Sequence, residues 1–369
     1  MSPGPAAVIG RIEGDLRALW AAPPAPGEVP KSRACTMNLV LVAASVDVAR
    51  EWVAVVDEIL QGTPARALVV GLDPDGPDAL EADVSGVCTP GDAGALLCSE
   101  RVSLVARGAV SVRLPSVVAA LTVTDVPTTL VWLGRVHAHD PVFAALASDA
   151  TRILLDASAG SLAGLADVVY WLRTRAPAER PGVTDLTWVR LSTWQELCAR
   201  IFDEPRLRPL AEHVTGVTIV QDGSPGAVLG PQGTLLLGWL ATRLGWNAAS
   251  LAGKLRLVRR DGGTIAVSLR SEGGGAPGGP SVRAVRLDAG GTDLSVHGEM
   301  EREGNAANWR MEVRGGSGEP QRIEQRVRLR DQSNAAILDR ALHRPTHDPA
   351  LEEAAAWVDE LRGEELACG

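Results

Sequence analysis

At 369 residues the chain is long enough for two hydrophobic cores, because a single core rarely grows past roughly 250 to 300 residues. A net charge of −9 and a pI near 5.3 leave no basic stripe to neutralise phosphates, which argues against a nucleic-acid partner. No run reaches the roughly 18 apolar residues of a membrane span, and the start MSPGPAAVIGRIEGDLRALW lacks the basic region of a signal peptide, so the expected location is cytoplasmic.

Val8, Ile9, Ile12, Leu16 and Leu19 fall near helical spacing, and the proline-rich AAPPAPGEVP that follows cannot stay helical. Residues 1–31 therefore read as a docking helix on a linker. RACTMNLVLVAAS is a central strand, and DVAREWVAVVDEILQG is a helix with Trp52, Val55, Val56 and Ile59 inward and Gly62 closing it. ARALVVGLD follows as a second strand, which makes a right-handed βαβ unit if the sheet is parallel. Residues 83–108 hold two more strands around a polar, glycine-rich connection. Helix and strand then alternate through LPSVVAALTVTD, VPTTLVWLG, HDPVFAALASDA, TRILLDAS and SLAGLADVVYWLRTRA, the last ending before Pro177. This alternation predicts a three-layer α/β domain over 32–180 with a mostly parallel or mixed sheet.

In TDLTWVRLSTWQELCARIFD, Leu186, Trp188, Val189 and Leu191 read as a strand. Ser192 is the N-cap of a helix, with Gln195 as its capping-box partner. Trp194, Leu197, Cys198 and Ile201 share the apolar face of that helix, while Glu196 and Arg200 pair towards water. LAEHVTGVTIVQD is a strand, and TLLLGWLATRLGW is an apolar helix stopped by Gly245. From there the pattern changes to short runs in which apolar residues alternate with arginine and other polar residues between glycine-rich turns, the period of an antiparallel meander. NAAILDRALHR and DPALEEAAAWVDELRG close the chain as helices, giving an α+β domain with an antiparallel sheet over 184–369.

Chemistry is hard to find along this chain. GLDPDGPD lacks the spacing and terminal glutamate of a calcium loop. The pattern GxxxxGK[ST] is absent, and the turn after the first long strand offers Ser45 and Asp47 without the glycines that let a backbone cradle phosphate. His137 and His139 lie beyond a strand end where doubly wound sheets place sites, yet a metal needs a third ligand, and Asp140 before Pro141 reads as a helix N-cap. The five cysteines, Cys35, Cys88, Cys98, Cys198 and Cys368, have no C-x-x-C or zinc spacing and are expected to be reduced, with no intramolecular disulfide. No catalytic residue, cofactor or metal is therefore assigned.

In order and spacing, TPARALVVGLD, LLCSERVSLVARG, LPSVVAALTVTDVPTTLVWLG, DATRILLDAS, DLTWVRLSTWQELCARIFD and TLLLGWLATRLGW resemble the OpcA family, the glucose-6-phosphate dehydrogenase assembly proteins of cyanobacteria and actinobacteria. The likeness covers about residues 35–246. It is most specific at Trp188, Arg190, Leu191, Trp194, Glu196, Leu197, Phe202 and Asp203, and at Gly238, Trp239, Leu240, Arg243, Leu244 and Trp246. The strand end VWLGRVHAH departs from the second tryptophan and proline-rich turn associated with the family. The resemblance implies a non-catalytic partner that binds glucose-6-phosphate dehydrogenase and promotes its active oligomer in the oxidative pentose phosphate pathway. Since Trp and Arg dominate interface energetics, Trp188, Arg190, Arg243 and Trp246 are the candidate partner-binding residues. The competing reading is an enzyme or small-molecule sensor for a sugar phosphate or nucleotide, using the crevice of the α/β domain.

Overall fold

The computed structural model describes residues 5–21, 29–91, 95–224, 227–251, 254–273, 281–316 and 318–361. The chain forms two compact units: Met1–Leu186 with Ser333–His347, and Thr187–Gln332 with Asp348–Gly369.

The first unit opens with α1 (Pro5–Ala21), whose Val8, Ile12 and Leu16 are buried, and β1 (Lys31–Arg33). It continues through β2 (Met37–Ala43), α2 (Val46–Gly62), β3 (Ala65–Asp73), β4 (Ala79–Pro90), β5 (Leu96–Arg107), α3 (Leu114–Leu121), β6 (Thr128–Leu133), α4 (Pro141–Asp149), β7 (Arg152–Leu155), α5 (Leu162–Arg173) and β8 (Gly182–Asp185). The parallel order β5-β3-β2-β6-β7-β8 is that of a doubly wound sheet, whose winding reverses between β2 and β6. β2 and β3 are apolar almost throughout because both faces of such a sheet are covered. On α2, Trp52, Val56, Ile59 and Leu60 are buried and Val55 is half-buried; Gly62 is its last residue, and Thr63 caps it in an extended conformation. The buried carboxylate of Glu100 on β5 gathers three donors. It accepts from Arg66 Nε at 2.7 Å and Trp20 Nε1 at 2.7 Å, and pairs with Arg33 Nε at 3.1 Å, tying α1, β1 and β3 to one strand.

β4 runs antiparallel to β5 in a register that sets Cys88 directly opposite Cys98, and the two are joined by a disulfide with Cα atoms 4.0 Å apart. This overturns the expectation of reduced thiols throughout. Ten residues of separation carry no motif, but a hairpin brings its opposed residues within reach of a bridge. Cys35 and Cys198 are free thiols, and Cys368 lies outside the described residues.

The second unit begins at a correction. Leu186–Arg190 is a short helix, α6, where a strand was expected, and the extended segment before it ends at Asp185. α7 (Ser192–Arg200) follows after Leu191, and Ser192 donates its hydroxyl to Val189 O at 2.7 Å instead of capping the helix. The unit then holds β9 (Val214–Asp222), α8 (Pro231–Leu244), β10 (Asn247–Leu251), β11 (Lys254–Val258), β12 (Thr264–Glu272), β13 (Val282–Gly290), β14 (Leu294–Glu303), β15 (Ala306–Gly315) and β16 (Gln321–Arg328). Its sheet order is β10-β11-β12-β9-β13-β14-β15-β16. The sheet is mixed: β9 and β12 pair in parallel, because α8 and a hairpin intervene between them, and the other pairs are antiparallel. Gly245 ends α8 with φ 68°, the left-handed conformation that suits glycine after a helix.

Two helices follow β16. α9 (Asn334–His343) returns to the first unit and packs on α2, while α10 (Pro349–Glu360) packs on α8 in the second. Gly238 permits the latter approach, since a Cβ there would sit 3.0 Å from Ala354 O and from Val358 Cγ2. In the first unit Arg152 on β7 holds the return segment. It donates to Ala341 O (3.1 Å), Leu342 O (2.7 Å), Arg344 O (2.6 Å) and Thr346 Oγ1 (3.1 Å).

Candidate functional site

The point where a doubly wound sheet reverses is where such folds hold a dinucleotide, with phosphate on the N-terminus of the first crossover helix. Here the ends of β2 and β6 lie against one another. Ala44 donates its N–H to Leu133 O at 2.9 Å, and a Cβ on Gly134, at φ 140°, would lie 2.6 Å from Ala44 Cβ. On the other side a Cβ on Gly71 would lie 2.8 Å from Val46 Cα. The glycines thus permit close contact between chain segments. Ser45 caps α2 through Val48 N–H, and Asp47 in the first turn adds negative charge where a phosphate would need positive potential. Asp73, at the end of β3, accepts from Arg107 Nη1 at 2.9 Å.

His137 and His139 are both exposed, and Asp140 accepts from Val142 N and Phe143 N at 2.9 Å each, capping α4 ahead of Pro141 as the spacing indicates. Among the described residues, no group of three or more His, Cys, Asp and Glu side chains is placed to hold a metal.

The four candidate contact residues divide by type. Trp188 and Trp246 are 1% and 3% exposed, so their rings belong to the core. Arg190 is half-buried on α6, and Arg243 is exposed on α8, paired with Glu353. The two segments meet on one element. Trp188 Nε1 donates to Asp348 Oδ2 at 2.8 Å, and the other oxygen of Asp348 caps α10, the helix that carries Glu353. Trp194 is likewise core, at 5% exposure.

A feature missed in the sequence lies on the mixed sheet. One face carries Val285, Leu287, Val296, Met300, Trp309 and Met311, all buried; Trp309 Nε1 donates to Leu197 O at 3.0 Å, and Gly298 admits Ile201 of the same unit. The opposite face is charged. The register sets Arg286, Glu299, Arg310 and Glu324 in a row across β13 to β16, and Asp288, His297, Glu312 and Arg322 in the next row on the same face. Within the first row Glu299 lies 2.5 Å from Arg286 Nε and 3.4 Å from Arg310 Nη1, and Arg310 Nε is 2.8 Å from Glu324. Within the second, His297 Nδ1 is 2.6 Å from Asp288, and Glu312 accepts from Arg322 at 2.8 Å and also from Arg314, the next residue outward on that face of β15, at 2.6 Å. Partial burial raises the pKa of Glu299, but hydrogen bonding and charge from Arg286, then Arg310, outweigh it and hold the carboxyl below its ordinary value. Hydrogen bonds from Arg322 and Arg314 do the same for Glu312. The alternation of apolar and charged residues announced a wet face. Its two-dimensional sign pattern depends on register, which no single strand contains.

The fold defines a two-unit protein with a doubly wound α/β half and an α+β half built on a wide mixed sheet. Two family profiles match it over most of its length: the glucose-6-phosphate dehydrogenase subunit N-terminal domain over residues 56–175 and the corresponding C-terminal domain over 181–355. The chain belongs to the OpcA family of glucose-6-phosphate dehydrogenase assembly proteins. It is 25% identical to a Synechocystis sp. protein provisionally named OxPP cycle protein OpcA, over 82% of this chain and 65% of that one. It is 29% identical to the Nostoc punctiforme protein of the same name, over 53% of this chain and 41% of that one. The alignments thus span less than two thirds of these relatives' length. Among solved structures, the 3-ketoreductase KijD10 from Actinomadura kijaniata, in complex with NADP, aligns over 89% of this chain and 97% of its own, at TM-score 0.47 and 11% identity. An oxidoreductase from Sinorhizobium meliloti aligns over 89% of each chain at TM-score 0.42 and 10% identity. Likeness of that degree carries no argument about function.

Proposed function

We propose that this chain is a non-catalytic assembly factor that binds glucose-6-phosphate dehydrogenase and shifts it towards its active oligomer. The observation that carries the reading is family membership over both halves of the chain. The start of α2 weighs against the sensor or enzyme reading, because Asp47 in its first turn sets negative charge where the phosphate of a nucleotide would sit. A factor of this kind must bind the active state of its partner more tightly than the inactive one, since equal affinity for both moves no equilibrium. Exposed Arg243 and half-buried Arg190 are the contact candidates, with Trp188 and Trp246 holding their segments from the core.

The test is to mix the pure chain with the dehydrogenase of the same organism and to measure sedimentation together with the initial rate at sub-saturating glucose-6-phosphate. A larger complex and a faster rate are expected, and the chain alone should turn over no sugar phosphate. No change in size or rate at micromolar protein would refute the reading.

A further inference from the structure

We infer that the charged face of the mixed sheet docks a second copy of this chain, through a two-fold axis that runs along the strands between β14 and β15. Such an axis lays each row on its own reverse. In the first row, read from β13 to β16, the signs are plus, minus, plus, minus (Arg286, Glu299, Arg310, Glu324). Reversed, every position meets its opposite: Arg286 faces Glu324 of the second copy and Glu299 faces its Arg310. In the second row Asp288 faces Arg322 and His297 faces Glu312. A two-fold interface must be complementary to itself, and an alternating row of even length has that property, whereas a row of one sign would repel its copy.

The flanking positions add no like-charge clash. The next row inward holds Ala284, Glu301, Asn308 and Arg326, which sets Glu301 on Asn308 and Ala284 on Arg326. Aligned stacking of two twisted sheets is an ordinary packing geometry. Four strands at roughly 4.8 Å spacing, each about nine residues long, offer about 600 Å² per copy, at the low end of specific interfaces. Exposed charges contribute little each and are screened by salt, so the pair is weak and salt-sensitive. The lateral ion pairs within each copy pre-order the side chains that would meet.

The test uses the full chain alone in analytical ultracentrifugation, with no dehydrogenase present, so its outcome is separate from that of the assembly reading. At about 100 µM in low salt a two-copy species is expected, which dissociates near 0.5 M salt where the screening length falls to a few ångströms. Glu299→Arg and Arg310→Glu should each sediment as single copies, because each sets like charges face to face twice. An equimolar mixture of the two should regain the two-copy species, since Arg at 299 on one copy then meets Glu at 310 on the other, and the reverse. Asp288→Arg and Arg322→Glu, at more exposed positions that bear less on folding, should repeat the pattern in the second row. A wild type that stays a single copy in low salt overturns the proposal and leaves the face to solvent or another protein. Two-copy species that survive all four substitutions, or mixtures that fail to restore them, overturn it as well.

Discussion

Replacing Arg152 with methionine keeps the aliphatic stem on β7 and removes the guanidinium that holds the return segment of the first unit. Four acceptors depend on that group: three carbonyls at and beyond the end of α9 and the hydroxyl of Thr346. Arg152 is 9% exposed, and burial pulls its pKa below the ordinary arginine value, so part of the gain from its contacts is spent on desolvation. An orphaned buried acceptor costs about 1 to 3 kcal/mol, and the last carbonyls of α9 can regain water only if the segment lifts. Several orphaned acceptors at that cost, set against the relief of a buried cation, give a net loss of about 3 to 5 kcal/mol. The effect should be local first. Hydrogen exchange over residues 334–346 should accelerate at least 100-fold, since about 1.4 kcal/mol is tenfold in an opening equilibrium. Arg152→Lys, with one compact ammonium for four spread acceptors, should fall between. If Arg152→Met leaves exchange in this segment within about fivefold of wild type and the urea midpoint unmoved, the reasoning from these hydrogen bonds is wrong.

Trp194→Ala should cost about 3 to 5 kcal/mol in urea unfolding, because the ring is buried on α7; an undiminished midpoint would move Trp194 to a binding surface. Burial pushes the Cys198 thiol from 9.0 up to about 12, so above pH 9 the unfolded chain releases a proton that the folded chain keeps. Stability should therefore be intact below pH 9 and fall by up to about 1.4 kcal/mol per pH unit as pH rises towards 12, a slope that Cys198→Ala should lack. Titrating the unfolded, non-reduced protein should find three free thiols, Cys35, Cys198 and Cys368, and five after reduction; five before reduction would remove the Cys88–Cys98 bridge.

Much of the first unit was legible because its strands are buried on both faces and its helices are punctuated. The runs at 37–43 and 65–73 could only be central strands, and Asp140 before Pro141 could be read as a cap from two residues. The errors share one cause, which is pairing at a distance. Leu186, Trp188 and Val189 are large and apolar and fit a buried strand by composition, but no strand pairs with this segment in either sheet, and helix wins. The runs read as a meander do pair antiparallel, but alternation reports a wet face and not a direction, so the parallel pairing of β9, a strand outside the meander, with β12 left no mark. The disulfide and the charge rows follow from register, a property of two strands at once.

The contact candidates illustrate why a site of this kind resists a sequence reading. Catalytic chemistry announces itself because it needs particular groups at particular spacings, whereas a docking surface needs only shape and sign, shared by residues far apart in the chain. Trp188 and Arg243 stand 55 positions apart, yet each is bonded to α10, one through Asp348 and the other through Glu353. The tryptophan–arginine pairing drew attention to these segments, and the fold separates the two roles within each. The Trp188 indole spends its N–H on Asp348 and the Trp246 ring is buried, while the guanidinium of Arg243 stays in reach of solvent with a carboxylate partner it could exchange. An exposed ion pair costs little to open, so Arg243 can turn to a carboxylate on another protein without loss to the core that positions it. A buried Trp188 could not, since leaving Asp348 would orphan a cap of α10. On physical grounds, then, Arg243 is the movable part of the candidate surface and the tryptophans the fixed part.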